Sequence, residues 1–222
     1  MIQPATVQFL KKLARNNNKP WFDLHKKEYN AARNNFEDFV QQVIDCFGKF
    51  DPAVASLVAK QCLFRINRDI RFSKNKLPYK QNFGADINRG GKRSIYAGYY
   101  FHLEPGRSFA GGGIWMPMPA ETQKIRQEID YCWAEFKKII NTGSFIKHYG
   151  NLDNEPAISL VNVPKGYTKE NPAAQYLKLK SWIATREIND ATLFSPALLK
   201  QTVDTLKALQ PLVDFLNRAV AA

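Results

Sequence analysis

The sequence predicts an α+β fold, with a central, mainly antiparallel sheet flanked by N-terminal and C-terminal helices. Three observations carry this expectation. Apolar residues recur at helical period over the first sixty or so positions, alternate with polar ones through the next fifty, and return to helical period after Pro117. Strands gathered between two helical regions, rather than alternating with helices, fit an antiparallel sheet better than a doubly wound parallel one. Turn chemistry, Arg89-Gly90-Gly91-Lys92 and Pro105-Gly106, falls inside the alternating stretch. A chain of 222 residues, 45% hydrophobic, has the material for a full core. One domain over 1–222 is expected: helical over 1–60, strand-rich and basic over 61–116, and helices, loops and one strand over 117–222.

Taken in order, Val7, Leu10, Leu13 and Ala14 mark a first helix that Asn16, Asn17 and Asn18 stop. Pro20 suits the first turn of a second helix, where its missing N–H would be unbonded anyway. Trp21, Leu24, Ala32, Phe36, Phe39, Val40, Val43 and Phe47 continue that period to a stop at Gly48, with a break expected near Asn30. Asp51-Pro52 reads as a cap opening one more short helix. Phe64 and Ile66 alternate with Arg65 and Asn67 as a strand, and Leu77-Pro78 bars a helix through the residues that follow. Phe83, Ala85 and Ile87 make a second strand. Residues 94–115 read as a hairpin closed by Pro105-Gly106, with Ile95, Ala97, Tyr99, Phe101 and Leu103 on one face and Tyr96, Gly98, Tyr100 and His102 on the other. Ile125, Ile129, Trp133, Phe136 and Ile140 form a helix. Residues 141–180 are loop-rich, 181–188 form a strand, and Ser195-Pro196 opens a last helix that Pro211 is expected to kink.

The formal charge is +12, and it is not spread evenly. Residues 60–107 hold eleven basic and three acidic side chains, net +8, while the regions on either side carry +2 each. Within that segment, residues 64–83 place six lysines or arginines, one acid, three phenylalanines and one tyrosine. An anionic partner is therefore expected, and expected there. Cys46, Cys62 and Cys132 are scattered and form no CxxC, the usage of reduced core thiols in a cytoplasmic protein. No apolar run is long enough to span a membrane, and no membrane association is expected.

Arginine forks grip phosphate or carboxylate two-pronged and lysines add point charge, which makes Arg65, Arg68, Arg71, Lys74, Lys76 and Lys80 the candidate anion ligands. Tyr79, Tyr100 and Trp115 are the candidate pocket walls. Asp69 and His102 are the candidates for acid–base work, His102 because it shares a strand face with Tyr96, Tyr100 and Glu104. The competing expectation is a solvated loop whose phenylalanines anchor it and whose arginines pair with acids, Asp69 with Arg68 or Arg71. Gly111, Gly112 and Gly113 fit a bulge, or a sheet packed tightly under a helix, better than an anion cradle. Gly90-Gly91-Lys92 followed by Arg93 lacks the P-loop's upstream glycine. His102-Leu103-Glu104 imitates half of a zinc-deaminase motif without its cysteine pair, Ser73–Lys76 has no helix to act from, and no metal site is expected; the sequence names no cofactor.

Four stretches, residues 16–29, 64–84, 98–117 and 125–129 ("NNNKPWFDLHKKEY", "FRINRDIRFSKNKLPYKQNFG", "GYYFHLEPGRSFAGGGIWMP" and "IRQEI"), resemble an uncharacterised, mostly bacterial family, domain of unknown function 2461. The resemblance covers about residues 3 to 217. It implies a single cytoplasmic domain and carries over no activity, cofactor or catalytic residue. Three partner classes stay open: an anionic small molecule, which the arrangement of arginines favours, nucleic acid along the same basic and aromatic stretch, and an acidic protein met by a scaffold.

Overall fold

A computed structural model describes residues 1–92 and 94–221; Arg93, weighed above against a P-loop, lies outside them with Ala222. Helices α1 (Pro4–Arg15), α2 (Lys19–Leu24), α3 (Lys26–Phe47) and α4 (Ala59–Cys62) come first. Strands β1 (Phe83–Ile87), β2 (Gly98–Leu103) and β3 (Ser108–Ile114) follow, then α5 (Pro119–Tyr131), α6 (Trp133–Ile140), α7 (Gly143–Tyr149) and α8 (Ala174–Leu177). Strand β4 (Trp182–Ile188), α9 (Asp190–Leu193) and α10 (Ala197–Ala221) complete the chain. The strands form one antiparallel sheet in the order β1-β2-β3-β4, flanked by the N-terminal and C-terminal helices. The fold is α+β. No helix among the described residues is long and apolar enough to cross a membrane.

The chain divides into two compact units. The first comprises Met1–Ile87, Tyr100–Ala110 and Glu187–Asp204; the second comprises Asn88–Tyr99, Gly111–Arg186 and the stretch from Thr205 on. In the first unit, Val7, Phe9, Leu10 and Leu13 of α1 and Phe36, Phe39, Val40, Val43 and Phe47 of α3 are buried. Phe36 stacks on Phe83 at 5.5 Å and Phe39 meets Phe101 edge-on at 4.9 Å, so one face of β1 and β2 is closed by α3. Helix α1 has no N-cap side chain of its own. Asn35 of α3 supplies one, its Oδ1 accepting from the Gln3 amide at 2.9 Å and the Thr6 hydroxyl at 2.8 Å.

In the second unit, Ile125, Ile129, Phe136, Phe145, Leu177, Trp182, Leu212 and Phe215 are buried. Asn217 on α10 pairs with the Ala97 backbone, accepting from its N–H at 2.8 Å and donating to its carbonyl at 3.2 Å. It satisfies the buried main chain where no strand does. Arg218 ties α10 to α5 and α6, bonding Glu128 at 2.8 Å and Glu135 at 2.7 Å.

Several local expectations are corrected. The long second helix breaks at His25, not near Asn30, because the His25 ring donates to the Trp21 carbonyl at 2.8 Å and stacks on its indole. Asp51 closes a turn instead of opening a helix, its carboxylate accepting from Ala53 N. Phe64 and Ile66 do not form a strand: only the bridges Leu63–Ala85 and Asn67–Tyr79 remain. Arg68 N donates to the Pro78 carbonyl at 2.9 Å, and Pro78 has no N–H to return the bond, so the ladder fails there. Phe64 is exposed and Ile66 buried. Ile95 is exposed although its hairpin face is otherwise buried. Cys132 splits the helix read through Ile125 and Ile140, and the 141–180 stretch carries α7 and α8. Pro211 lies inside α10.

Candidate functional site

Within the first unit, α3 covers one face of β1 and β2, and the other face carries polar side chains. Period two puts Asn82, Gly84 and Asp86 beside Tyr100 and His102. Gly84 is what admits Tyr100: a Cβ there would collide with the phenol oxygen. The Tyr100 hydroxyl lies 3.3 Å from Nδ1 of His102, and Nε2 of His102 lies 3.0 Å from Oε2 of Glu104. A carboxylate only accepts, so Nε2 carries the proton and Nδ1 accepts from Tyr100. Asn82 Nδ2 faces the same Nδ1 at 3.5 Å. Phe109 of β3 lies flat on the imidazole at 4.7 Å and 10°, and Arg107 pairs with the other Glu104 oxygen. The side chains of His102 and Glu104 are 15% and 17% exposed.

Burial sets the electrostatics. It pushes the Tyr100 phenol up to about 12, with the charges of Asp86 and Glu104 adding to it. Burial also holds His102 below its ordinary value, against the opposing pull of Glu104.

The basic segment approaches this face by its two ends. The Phe64 amide donates to the Gly84 carbonyl at 3.0 Å, and its ring lies 6.2 Å from that of Tyr100. The Lys80 ammonium sits 5.1 Å over the Phe64 ring. Lys80 is held below its ordinary pKa by burial first and by the charge of Arg65 second. Neither Arg65 nor Lys80 makes an ion pair among the described residues.

Between those ends the segment closes on itself. Arg68 donates to the Leu77 carbonyl at 2.9 Å and to Ser73 Oγ at 3.3 Å, and Lys76 donates to the Ile70 carbonyl at 3.0 Å. Arg71 grips Asp69 with two nitrogens, at 3.0 and 2.7 Å, and lowers the Asp69 pKa through those bonds. The charge of Arg65 acts on Asp69 too. Lys74 is exposed at the tip, beside Phe72, which is 96% exposed under the Arg71 guanidinium. Tyr79, expected as a pocket wall, is buried with its ring on Phe22 at 4.1 Å. Its backbone is clamped by Asn17, which donates to the Tyr79 carbonyl and accepts from its N–H. Trp115, the third expected wall, is an exposed residue of the second unit.

Of the residues expected from sequence, Tyr100 and His102 share one face and Lys80 lies over the Phe64 ring beside it; Asn82, Phe109 and the pairing of Glu104 with the imidazole were not among those expectations. The place of Glu104 on that face was legible, and that of Phe109 follows from the turn. Glu104 shares the His102 face at i+2, and Phe109 follows the two-residue turn directly opposite. The Pro105-Gly106 turn has the Gly106 φ of 78° and the Arg107 N to Glu104 O bond at 2.9 Å that type II geometry requires. No cluster of three or more His, Cys, Asp or Glu that could hold a metal ion occurs among the described residues.

The geometry stands without a template, since no curated protein and no solved structure matches the chain. The conserved hypothetical protein (DUF2461) family model matches residues 5–215, and the chain belongs to that family.

Proposed function

We propose that the protein binds a small anion, a phosphate or carboxylate compound, between Arg65 and Lys80 on the Tyr100 side of the sheet. The observation that carries this is the half-buried Lys80 beside a second cation. Removing an ammonium from water and setting it next to a guanidinium destabilises both charges, and an anion between them reverses the sign of that interaction. The reading moves the centre of the site from the Arg68–Arg71 stretch to the ends of the segment. Arg68 and Lys76 already spend donors on the loop's own carbonyls, and Arg71 is paired with Asp69.

A second reading, nucleic acid tracked by the same segment, is favoured by Phe72, a fully exposed ring with a guanidinium over it and the exposed Lys74 two residues on. Thermal unfolding with inorganic phosphate and with an oligothymidylate, each at 50 and 200 mM NaCl, separates the two. The small-anion site requires phosphate to raise the midpoint at both salts, by several degrees, because at this size about 1 kcal/mol of binding corresponds to about 2–4 °C. Arg65→Ala and Lys80→Ala should abolish that rise and Phe72→Ala should not. A rise with oligothymidylate alone, lost at the higher salt and in Phe72→Ala, would sink the first reading in favour of the second.

A further inference from the structure

We infer that Tyr100, His102 and Glu104 form a nucleophile, base and orienting carboxylate that cleave a phosphate ester held by Arg65 and Lys80. The choice of substrate depends on the anion site proposed above; the chemistry depends on the three side chains. Their spacing is that of an activated hydroxyl: nucleophile to base 3.3 Å, base to carboxylate 3.0 Å. Each member is held by something rigid. Tyr100 lies on the Cβ-free backbone of Gly84, the imidazole is clamped by Phe109, and Glu104 is shared with Arg107. The segment bearing Arg65 is tied to the same spot, because the Phe64 amide bonds the carbonyl of Gly84 itself.

A phenol pushed up to about 12 is ionised in only about one molecule in 10⁵ at pH 7. Tyrosinate is thus not the resting state, and attack requires a base to take the proton as the bond forms. Nδ1 of His102 is that base, unprotonated and already accepting from the hydroxyl. The Tyr100 oxygen attacks phosphorus, the new O–P bond forms as the bond to the leaving alkoxide breaks, and the phenolic proton passes to Nδ1; the leaving oxygen, in line on the far side of phosphorus, takes its proton from water, which becomes hydroxide. Glu104 holds the imidazolium formed between the two transfers. Arg65 and Lys80 offset the charge on the non-bridging oxygens. That hydroxide then attacks the phosphotyrosyl group from the same far side, and the tyrosine oxygen recovers its proton from Nδ1 as its bond to phosphorus breaks. Ester and water become alcohol and phosphate with no redox change.

The test needs no knowledge of the natural ester. An arylsulfonyl fluoride carrying a carboxylate, 4-(fluorosulfonyl)benzoate, reacts with base-assisted phenols by forming an O–S bond with loss of fluoride. After incubation of the full-length protein at pH 7.5, mass spectrometry ranks the nine tyrosines by labelling rate. Tyr100 should lead, ahead of Tyr131, which is 80% exposed and lacks a histidine partner among the described residues. His102→Ala should slow Tyr100 labelling about 100-fold and Glu104→Gln about tenfold. Should His102→Ala unfold, Glu104→Gln alone carries the comparison. Inorganic phosphate should protect Tyr100. Tyr100 unlabelled while Tyr131 reacts, or labelled equally in both variants, would overturn the relay. Labelling that depends on His102 but is indifferent to phosphate would instead overturn the phosphate-ester substrate, and with it the anion site, while the nucleophile stands.

Discussion

His102 shows how one residue links burial to pH. Its neutral form is favoured in the folded protein because burial outweighs the Glu104 carboxylate, so its folded pKa lies below the ordinary 6.5. The unfolded chain therefore binds more protons than the native one between those two values, and stability rises with pH across that window. The contribution is fully present above about 6.5 and is lost as pH falls toward the folded pKa. Urea midpoints at pH 7 and pH 5 should differ more for the wild type than for His102→Gln; equal differences would mean that the imidazole does not titrate with folding. Asn16, Asn17 and Asn18 make a second point at this scale. Read as a helix stop, they divide three tasks: Asn16 ends α1, Asn17 clamps the Tyr79 backbone, and Asn18 caps α2 by accepting from Trp21 N at 3.0 Å. The first and third are legible in sequence because capping is local. The clamp spans 62 residues, and no local pattern reports it.

Among the elements, β3 explains the three glycines. Gly113 has φ 112°, and a Cβ on it would run into the Trp182 carbonyl and come within 2.9 Å of Ile183 Cα; Gly111 meets the Ala184 carbonyl in the same way. The backbone of β4 lies where side chains would be, so these two glycines serve the contact between neighbouring strands, where a bulge or a sheet packed tightly under a helix was expected. Gly113→Ala should cost at least about 2 kcal/mol in urea unfolding, through both the collision and the strained φ. Gly143→Ala is the control: it opens α7, has open space around it, and should be neutral or stabilising by up to about 1 kcal/mol. Comparable losses in the two variants would contradict the account of β3. The element that sequence reasoning got wrong, the Phe64–Asn67 strand, had the right alternation and the right residue types. It failed as a strand because its partner contains Pro78, and which segment a strand will pair with is not written in the strand.

For the molecule as a whole, a charge of +12 on 222 residues destabilises the folded state through self-repulsion that salt relieves. The exposed ion pairs, Lys19–Asp23, Lys200–Asp204 and Arg71–Asp69 among them, are each worth too little to offset that. The melting midpoint should therefore rise by a few degrees between 20 and 200 mM NaCl; a fall would show that the Arg218 bridges and their like dominate the balance. Sulfate or phosphate at matched ionic strength stabilises any fold by exclusion from its surface, so an anion site is reported by a rise larger in the wild type than in Lys80→Ala.

Composition and periodicity by themselves determined the α+β class, the helices at both ends, the β2–β3 turn, and the concentration of positive charge in one segment, because each follows from interactions between residues close in sequence or from a count. Only the tertiary structure decided which cations stand beside the sheet. The charge of Arg65 acts on Lys80 across fifteen positions because Asn17 and the Gly84 carbonyl anchor the segment's ends, while Arg68, Arg71 and Lys76 turn to acceptors inside their own loop. The face around His102 was half visible for the same reason: Tyr100, His102 and Glu104 share a strand and a period, but burial, which sets their protonation, belongs to everything packed around them.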